Sequence, residues 1–188
     1  MDTVTGKNKN KKLSHAEISQ NRANLEGLSE LKRMPVVVLL NSIRSAYNVG
    51  SVFRTSDGAM IEKLYLCGYT TSPENKDVLK TALGSDKSIP WEYVKEAEGV
   101  ISSYKDRGYK IVALELTDTS VPYYKISSDD FPFLLIIGNE ITGVSQNLLD
   151  MCDFSIEIPQ FGIKQSLNVA VAYGIALFEF RKNWDLKN

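Results

Sequence analysis

Five short, dominantly apolar runs divide the chain: residues 35–40 (PVVVLL), 63–67 (KLYLC), 110–114 (KIVAL), 133–137 (FLLII) and 154–158 (FSIEI). Runs of this length without polar alternation mark strands buried on both faces. Between them the spacing predicts helices over about 48–60, 93–107, 145–152 and 166–184. Strands that alternate with helices predict an α/β fold, a mainly parallel sheet with flanking helices. Upstream, Ile18, Leu25, Leu28 and Leu31 recur as one side of a helix over 14–33, interrupted by Gly27. Residues 1–12 carry Lys7, Lys9, Lys11 and Lys12 against Asp2 alone, which suits a solvated basic tail or a phosphate-seeking arm. The expected organisation is a tail and accessory helical arm over 1–33, then a single domain over 34–188.

Charge and composition change this picture mainly by exclusion. The 188 residues hold 22 Lys and Arg against 23 Asp and Glu, a formal net charge of −1, so nonspecific coating of nucleic acid is disfavoured. His15 is the sole histidine and lies in the polar N-terminal stretch, which argues against His-dependent nucleophiles and His-bound zinc. Neither a GxxxxGK[ST] loop nor a GxGxxG fingerprint occurs. Two cysteines, Cys67 and Cys152, make no disulfide framework. No apolar run nears the ~20 residues of a membrane span, and the N-terminus lacks a signal-like apolar region. A cytoplasmic protein with reduced thiols, no metal and no membrane segment is expected.

The informative polar residues cluster after the first, fourth and fifth strands, where parallel sheets place ligands. After the first comes Asn41-Ser-Ile-Arg44-Ser-Ala-Tyr-Asn48-Val-Gly50-Ser-Val-Phe-Arg54. Spacings of four and three put Arg44, Asn48 and Ser51 on one helix face, with Arg54 along the rim. Two arginines without an intervening acid suit bidentate phosphate contact, although arginines solvating a helix would leave the same trace. After the fourth strand Gly138 permits close backbone approach beside Asn139 and Glu140, and Gly143 suits a tight turn. After the fifth, Ser166 reads as an N-cap of a helix that is apolar nearly all round until Glu179. Asn168 at its head needs a polar partner, which could be purely structural.

Together these segments read NxxRxxxNxGxxxR, GNExxGVS and IPxxGxxxSLNVxVAxGIALxE, and they resemble the three motifs of the SpoU (TrmH-type) RNA 2′-O-ribose methyltransferases of the SPOUT class. The resemblance covers residues 35–184, and Lys80-Thr-Ala-Leu-Gly84 with Pro90-Trp91 adds to it. It implies a C-terminal deep trefoil knot, S-adenosylmethionine as cofactor, a homodimer, and tRNA or rRNA as substrate. Carried over residue by residue, it implies catalytic or structural polar roles for Asn48, Arg54, Glu140, Ser166 and Asn168. It places Leu114, Gly138, Ile158, Ser166 and Leu167 at the cofactor, and Arg44 and Arg54 at the RNA. Ala170 stands where a serine is common and Tyr173 where a small residue is common, neither at a motif position. A guanidinium with pKa above ~12 is a poor base, so Arg54 is expected to clamp phosphate and polarise the 2′-oxygen. Glu140 is expected either to orient Arg54 or to take the proton through water. A noncatalytic RNA-binding protein and a base-methylating enzyme are the competing readings.

Overall fold

The computed structural model describes residues 10–20, 22, 25 and 27–186. Lys7 and Lys9 of the basic tail lie outside the described residues. The chain forms two compact units, 1–31 and 32–188. In the first, α1 (His15–Gln20) is opened by a reciprocal cap: Glu17 N–H donates to Ser14 Oγ (3.3 Å) and Ser14 N–H to Glu17 Oε2 (2.8 Å). The single helix expected over 14–33 is thus shorter, and a separate 3-10 turn spans Gly27–Glu30. Glycine at the start of that turn is where helix propensity is weakest.

The second unit is built on β1 (Met34–Asn41), β2 (Ile61–Cys67), β3 (Trp91–Val94), β4 (Lys110–Leu114), β5 (Val121–Pro122), β6 (Phe133–Ile137) and β7 (Phe154–Glu157). Their order in the sheet is β3-β2-β1-β6-β4-β7-β5, and every pairing is parallel. Helices α2 (Ala46–Ala59), α3 (Lys76–Ala82), α4 (Glu98–Asp106), α5 (Gln146–Leu149) and α6 (Val169–Asp185) flank it. Three elements depart from the pattern reading. Residues 91–94 form an edge strand, so the helix expected from 93 starts at Glu98. Helix α3 and the two-residue β5 carry too few apolar positions to show a period.

The central strands are apolar because both of their faces are covered. In β1, Val36, Val38 and Leu40 join one core with Phe133, Leu135, Val112, Phe53, Leu177 and Phe180; Val37 and Leu39 point the other way, to Leu134, Ile136, Ile101 and Leu148. Alternate side chains therefore feed two cores, one under α2 and α6 and the other under α4 and α5. Between α2 and α6, Tyr173 is wholly buried and its hydroxyl lies 2.7 Å from Ser56 Oγ. A tyrosine is tolerated at this buried position because Ser56 supplies the partner for its hydroxyl.

Helix α2 also touches α3 backbone to backbone. A Cβ built on Gly50 would lie 2.3 Å from the Val78 carbonyl oxygen and 2.0 Å from Thr81 Oγ1. Gly→Ala inside a helix normally stabilises by up to ~1 kcal/mol. Here the sign should reverse: Gly50→Ala is expected to cost about 1–3 kcal/mol, read as a lowered urea midpoint.

Candidate active site

Loops that are distant in sequence meet because β6 lies between β1 and β4. Leu40 pairs with Ile137, so the loop after β1 and the loop after β6 leave the sheet side by side. Ser45 caps α2 by accepting from Asn48 N–H (3.3 Å). Glu140 then reaches across from the β6 loop. Its carboxylate accepts from the backbone N–H of Arg44 (2.8 Å) and Ser45 (3.1 Å) and from Asn48 Nδ2 (2.9 Å). Asn48 Oδ1 accepts in turn from Asn168 Nδ2 (3.1 Å). Asn168 Oδ1 caps α6 by accepting from Ala170 N–H (3.0 Å) and Val171 N–H (3.3 Å). One hydrogen-bonded chain thus joins all three polar segments.

Several sequence expectations change on this geometry. Asn168, not Ser166, is the N-cap of α6: its oxygen reaches two free amides while Ser166 lies outside the helix and makes no hydrogen bond among the described residues. Arg44 precedes α2, so it does not share a helix face with Asn48; its backbone binds Glu140 and its side chain is exposed. Glu140 does not orient Arg54, because its donors are the Arg44 and Ser45 amides and Asn48. Arg54 is exposed and makes no hydrogen bond or ion pair among the described residues.

Burial works to raise the Glu140 pKa, but donors led by the Arg44 amide and Asn48 outweigh it and hold the carboxyl below its ordinary value. Such a carboxylate is a poor proton acceptor. It fits a clamp that needs permanent charge.

Beside this chain, at the carboxyl ends of β4, β6 and β7, opens a cavity of about 750 Å³. Leu114, Gly138, Ile158, Ser166 and Leu167 all line it, together with Glu140 and Asn168; Asn48, Arg44 and Arg54 do not. In its wall the backbone packs closely at Gly138, where a Cβ would meet Gly143 C and Val144 N at 2.2 Å. Gly143 has φ +66°, and Glu115 holds the following amide, accepting from Val144 N–H at 2.9 Å. Sequence reasoning missed Glu115, whose only trace is a carboxylate at the end of an apolar run. It also left Asn139 without a role. That side chain is 7% exposed, donates to the Ser42 carbonyl (2.8 Å) and to the Tyr69 hydroxyl (2.6 Å), and accepts from the amides of Ile141 and Thr142. Among the described residues there is no cluster of three His, Cys, Asp or Glu fit for a metal, and no helix is long and apolar enough to cross a membrane.

An α/β protein with this parallel sheet, and with a cavity framed by these motifs, falls in a known class. Residues 35–178 match the SpoU rRNA Methylase family, and the chain belongs to it. It is 30% identical over 164 residues to the tRNA (guanosine(18)-2′-O)-methyltransferase of Aquifex aeolicus, covering 87% of this chain and 76% of that one. It is 28% identical to the 23S rRNA (guanosine-2′-O-)-methyltransferase RlmB of Neisseria meningitidis, over 92% of this chain and 68% of the relative. The crystal structure of the A. aeolicus TrmH/SpoU tRNA modifying enzyme superposes with a TM-score of 0.78 at 31% identity, covering 87% and 83% of the two chains. That of an AdoMet-bound rRNA methyltransferase from Sinorhizobium meliloti does so at 0.73 and 30%, and this chain spans 59% of its length.

Two outcomes test the clamp. Glu140→Ala is expected to cost about 1 kcal/mol, a charged-acceptor loss discounted for partial exposure, in chemical denaturation at neutral pH. Because the folded pKa is depressed, the carboxylate's contribution is present above the unfolded value of ~4.3 and is lost as pH falls through the folded one. Glu140→Gln should lack that increment of acid sensitivity when stability is followed below pH ~4.3.

Proposed function

We propose that this protein transfers a methyl group from S-adenosylmethionine to a ribose 2′-hydroxyl of tRNA or rRNA. The observation that carries the reading is the cavity at the sheet's carboxyl edge, joined to α2 by the Glu140–Asn48–Asn168 chain. The cavity suits the cofactor on three counts. Its size lies within the ~300–1,000 Å³ usual for small-molecule sites. Leu114, Ile137, Ile156 and Ile158 give it apolar walls, and Glu115, Glu140 and Glu157 against Lys164 give it a negative balance that favours a sulfonium. The missing side chain at Gly138 lets the 143–144 backbone pack directly against it, which fixes the main chain along this wall.

Bound there, S-adenosylmethionine supplies an activated methyl that needs no metal. Leu114, Gly138, Ile158, Ser166 and Leu167 hold it through backbone and apolar contact. Glu140, Asn48 and Asn168 fix the three loops relative to one another, which is the alignment that converts a bimolecular encounter into an oriented one. Arg54 holds an RNA phosphate with its two-pronged guanidinium and polarises the 2′-oxygen, whose proton leaves late to water.

The working form is a homodimer. Its support is α6, where Val171 (51%), Ile175 (38%) and Phe178 (51%) stand exposed on the chain alone, near the loop carrying Phe161 at 97% and Ile163 at 100%. Monomers seldom leave such contiguous apolar surface in water. Arg54 adjoins this patch, since its neighbour Thr55 faces Gly174 of α6.

Saturating S-adenosylmethionine is expected to raise the melting temperature, by the equivalent of about 2.7 kcal/mol at one hundred times Kd; an unmoved curve refutes the cofactor assignment. Tritium carried from the methyl into 2′-O-methyl nucleosides of total RNA from a deletion strain tests the reaction itself. Arg54→Ala should remove most turnover with cofactor affinity unchanged. Arg54→Lys should stay poor at all pH values, whereas rescue that grows with pH would make residue 54 a base. Sedimentation at micromolar concentration should give twice the chain mass of 21.0 kDa.

A further inference from the structure

The strand order puts more than the cavity on the sheet's carboxyl edge. Reading from β3 towards β6, that edge carries Tyr93 in β3, Tyr69 two residues past β2, and Arg44 and Tyr47 around the start of α2. All three rings are about half in water or more: Tyr93 at 50%, Tyr69 at 62% and Tyr47 at 52%. Tyr47 O–H reaches Asp77 Oδ1 only at 3.5 Å, whereas the other two are pinned by short bonds at their hydroxyls. Tyr93 O–H donates to the Gly68 carbonyl at 2.7 Å, next in the chain to Tyr69. Tyr69 Oη accepts from Asn139 Nδ2 at 2.6 Å, and Asn139 lines the cavity. The Tyr69 hydroxyl proton has no acceptor among the described residues, which leaves one polar contact at the rim of the ring.

An exposed ring fixed at its polar tip has surrendered its rotamer freedom before any ligand arrives. Base stacking on aromatic side chains is how proteins read unpaired RNA, whereas an A-form duplex hides its base faces. Charge alone would not hold RNA on this strip, because Arg44 and Lys95 are offset by exposed Glu96 and Glu98. Stacking must therefore contribute. Neighbouring parallel strands are ~4.8 Å apart, so the strip from β3 to β1 is only about 10 Å wide and runs straight into the cavity mouth. From the tethered Tyr69–Asn139 contact at the mouth of the cofactor cavity we infer that Tyr69, followed by Tyr93, is a stacking platform for bases of an unpaired RNA segment beside the methylated nucleotide. This rests on the function proposed above and adds the substrate class: a loop or single-stranded region, not a continuous duplex.

The test uses the full chain and a fluorescent oligoadenylate of about 12 nucleotides, with the same strand annealed to oligouridylate as the duplex. By anisotropy the single strand should bind more tightly than the duplex. Tyr69→Leu should weaken the single strand about ten-fold and leave the duplex nearly unmoved, near the lower bound for losing one stacked base. Tyr69→Phe, which keeps the ring and loses only the tether, should stay within about three-fold of the natural protein. Calorimetry with S-adenosylmethionine should give the same affinity for all three proteins. Equal single-strand binding by Tyr69→Leu and the natural protein overturns the platform, as does a matching loss of cofactor affinity, which would make Tyr69 a buttress of the Asn139 loop. Selective loss of single-strand binding alongside a complete absence of methyl transfer to RNA would keep the platform and overturn the proposed reaction instead.

Discussion

The arrangement of this site depends on one carboxylate. Glu140 leaves the sheet after β6 and accepts from two amides of the loop after β1 and from the Asn48 amide. Asn48 passes the restraint to Asn168, which at the same time caps α6. Three segments separated by as many as 120 positions in the chain are held by hydrogen bonds of 2.8–3.1 Å. Each member has a definite duty: the ionised acid accepts, and each asparagine both donates and accepts. A side chain that could not do both would break the sequence of contacts at that point.

The sheet beneath makes such economy possible. β1 and β6 are sealed from water on both faces, so their carboxyl ends are fixed relative to one another before any loop residue acts. Where backbone must approach backbone, glycine is present: Gly138 against the 143–144 peptide, and Gly50 of α2 against α3. Rigid scaffolding under polar loops is the usual way to hold reactive geometry to within tenths of an ångström. What the sheet does not supply is closure. The loop over 160–168 is exposed along its length, and α6 exposes Val171, Ile175 and Phe178, the surface that the proposed second copy of the chain would cover.

Arg54 illustrates the same division. It stands six residues beyond Asn48, about 9 Å further along α2, and outside the cavity of its own chain. Its guanidinium has no hydrogen-bond or ion-pair partner among the described residues, and it is the group proposed above for an RNA phosphate. Asn139 shows how one side chain can serve two neighbours. Its amide ties the β1 loop at Ser42 and fixes the ring of Tyr69, so the cavity wall and the proposed stacking ring share a support.

The five apolar runs by themselves located five of the seven strands, most plainly β1 and β6, which are covered on both faces and carry no polar position within the run. The motifs determined the family as well, since Gly138, Glu140 and Asn168 stand in long, ordered strings of residues. The edge strand β3, the two-residue β5 and helix α3 were not legible, because half-exposed or very short elements carry no clear period. Only the tertiary structure decided that Asn168 and not Ser166 caps α6, and that Glu140 serves amides and not Arg54. It alone brought Glu115, Asn139 and Tyr69 to the site. Those assignments depend on which carboxyl ends become neighbours in the sheet. Strand order is set by packing between parts of the chain far apart in sequence, so no local pattern records it.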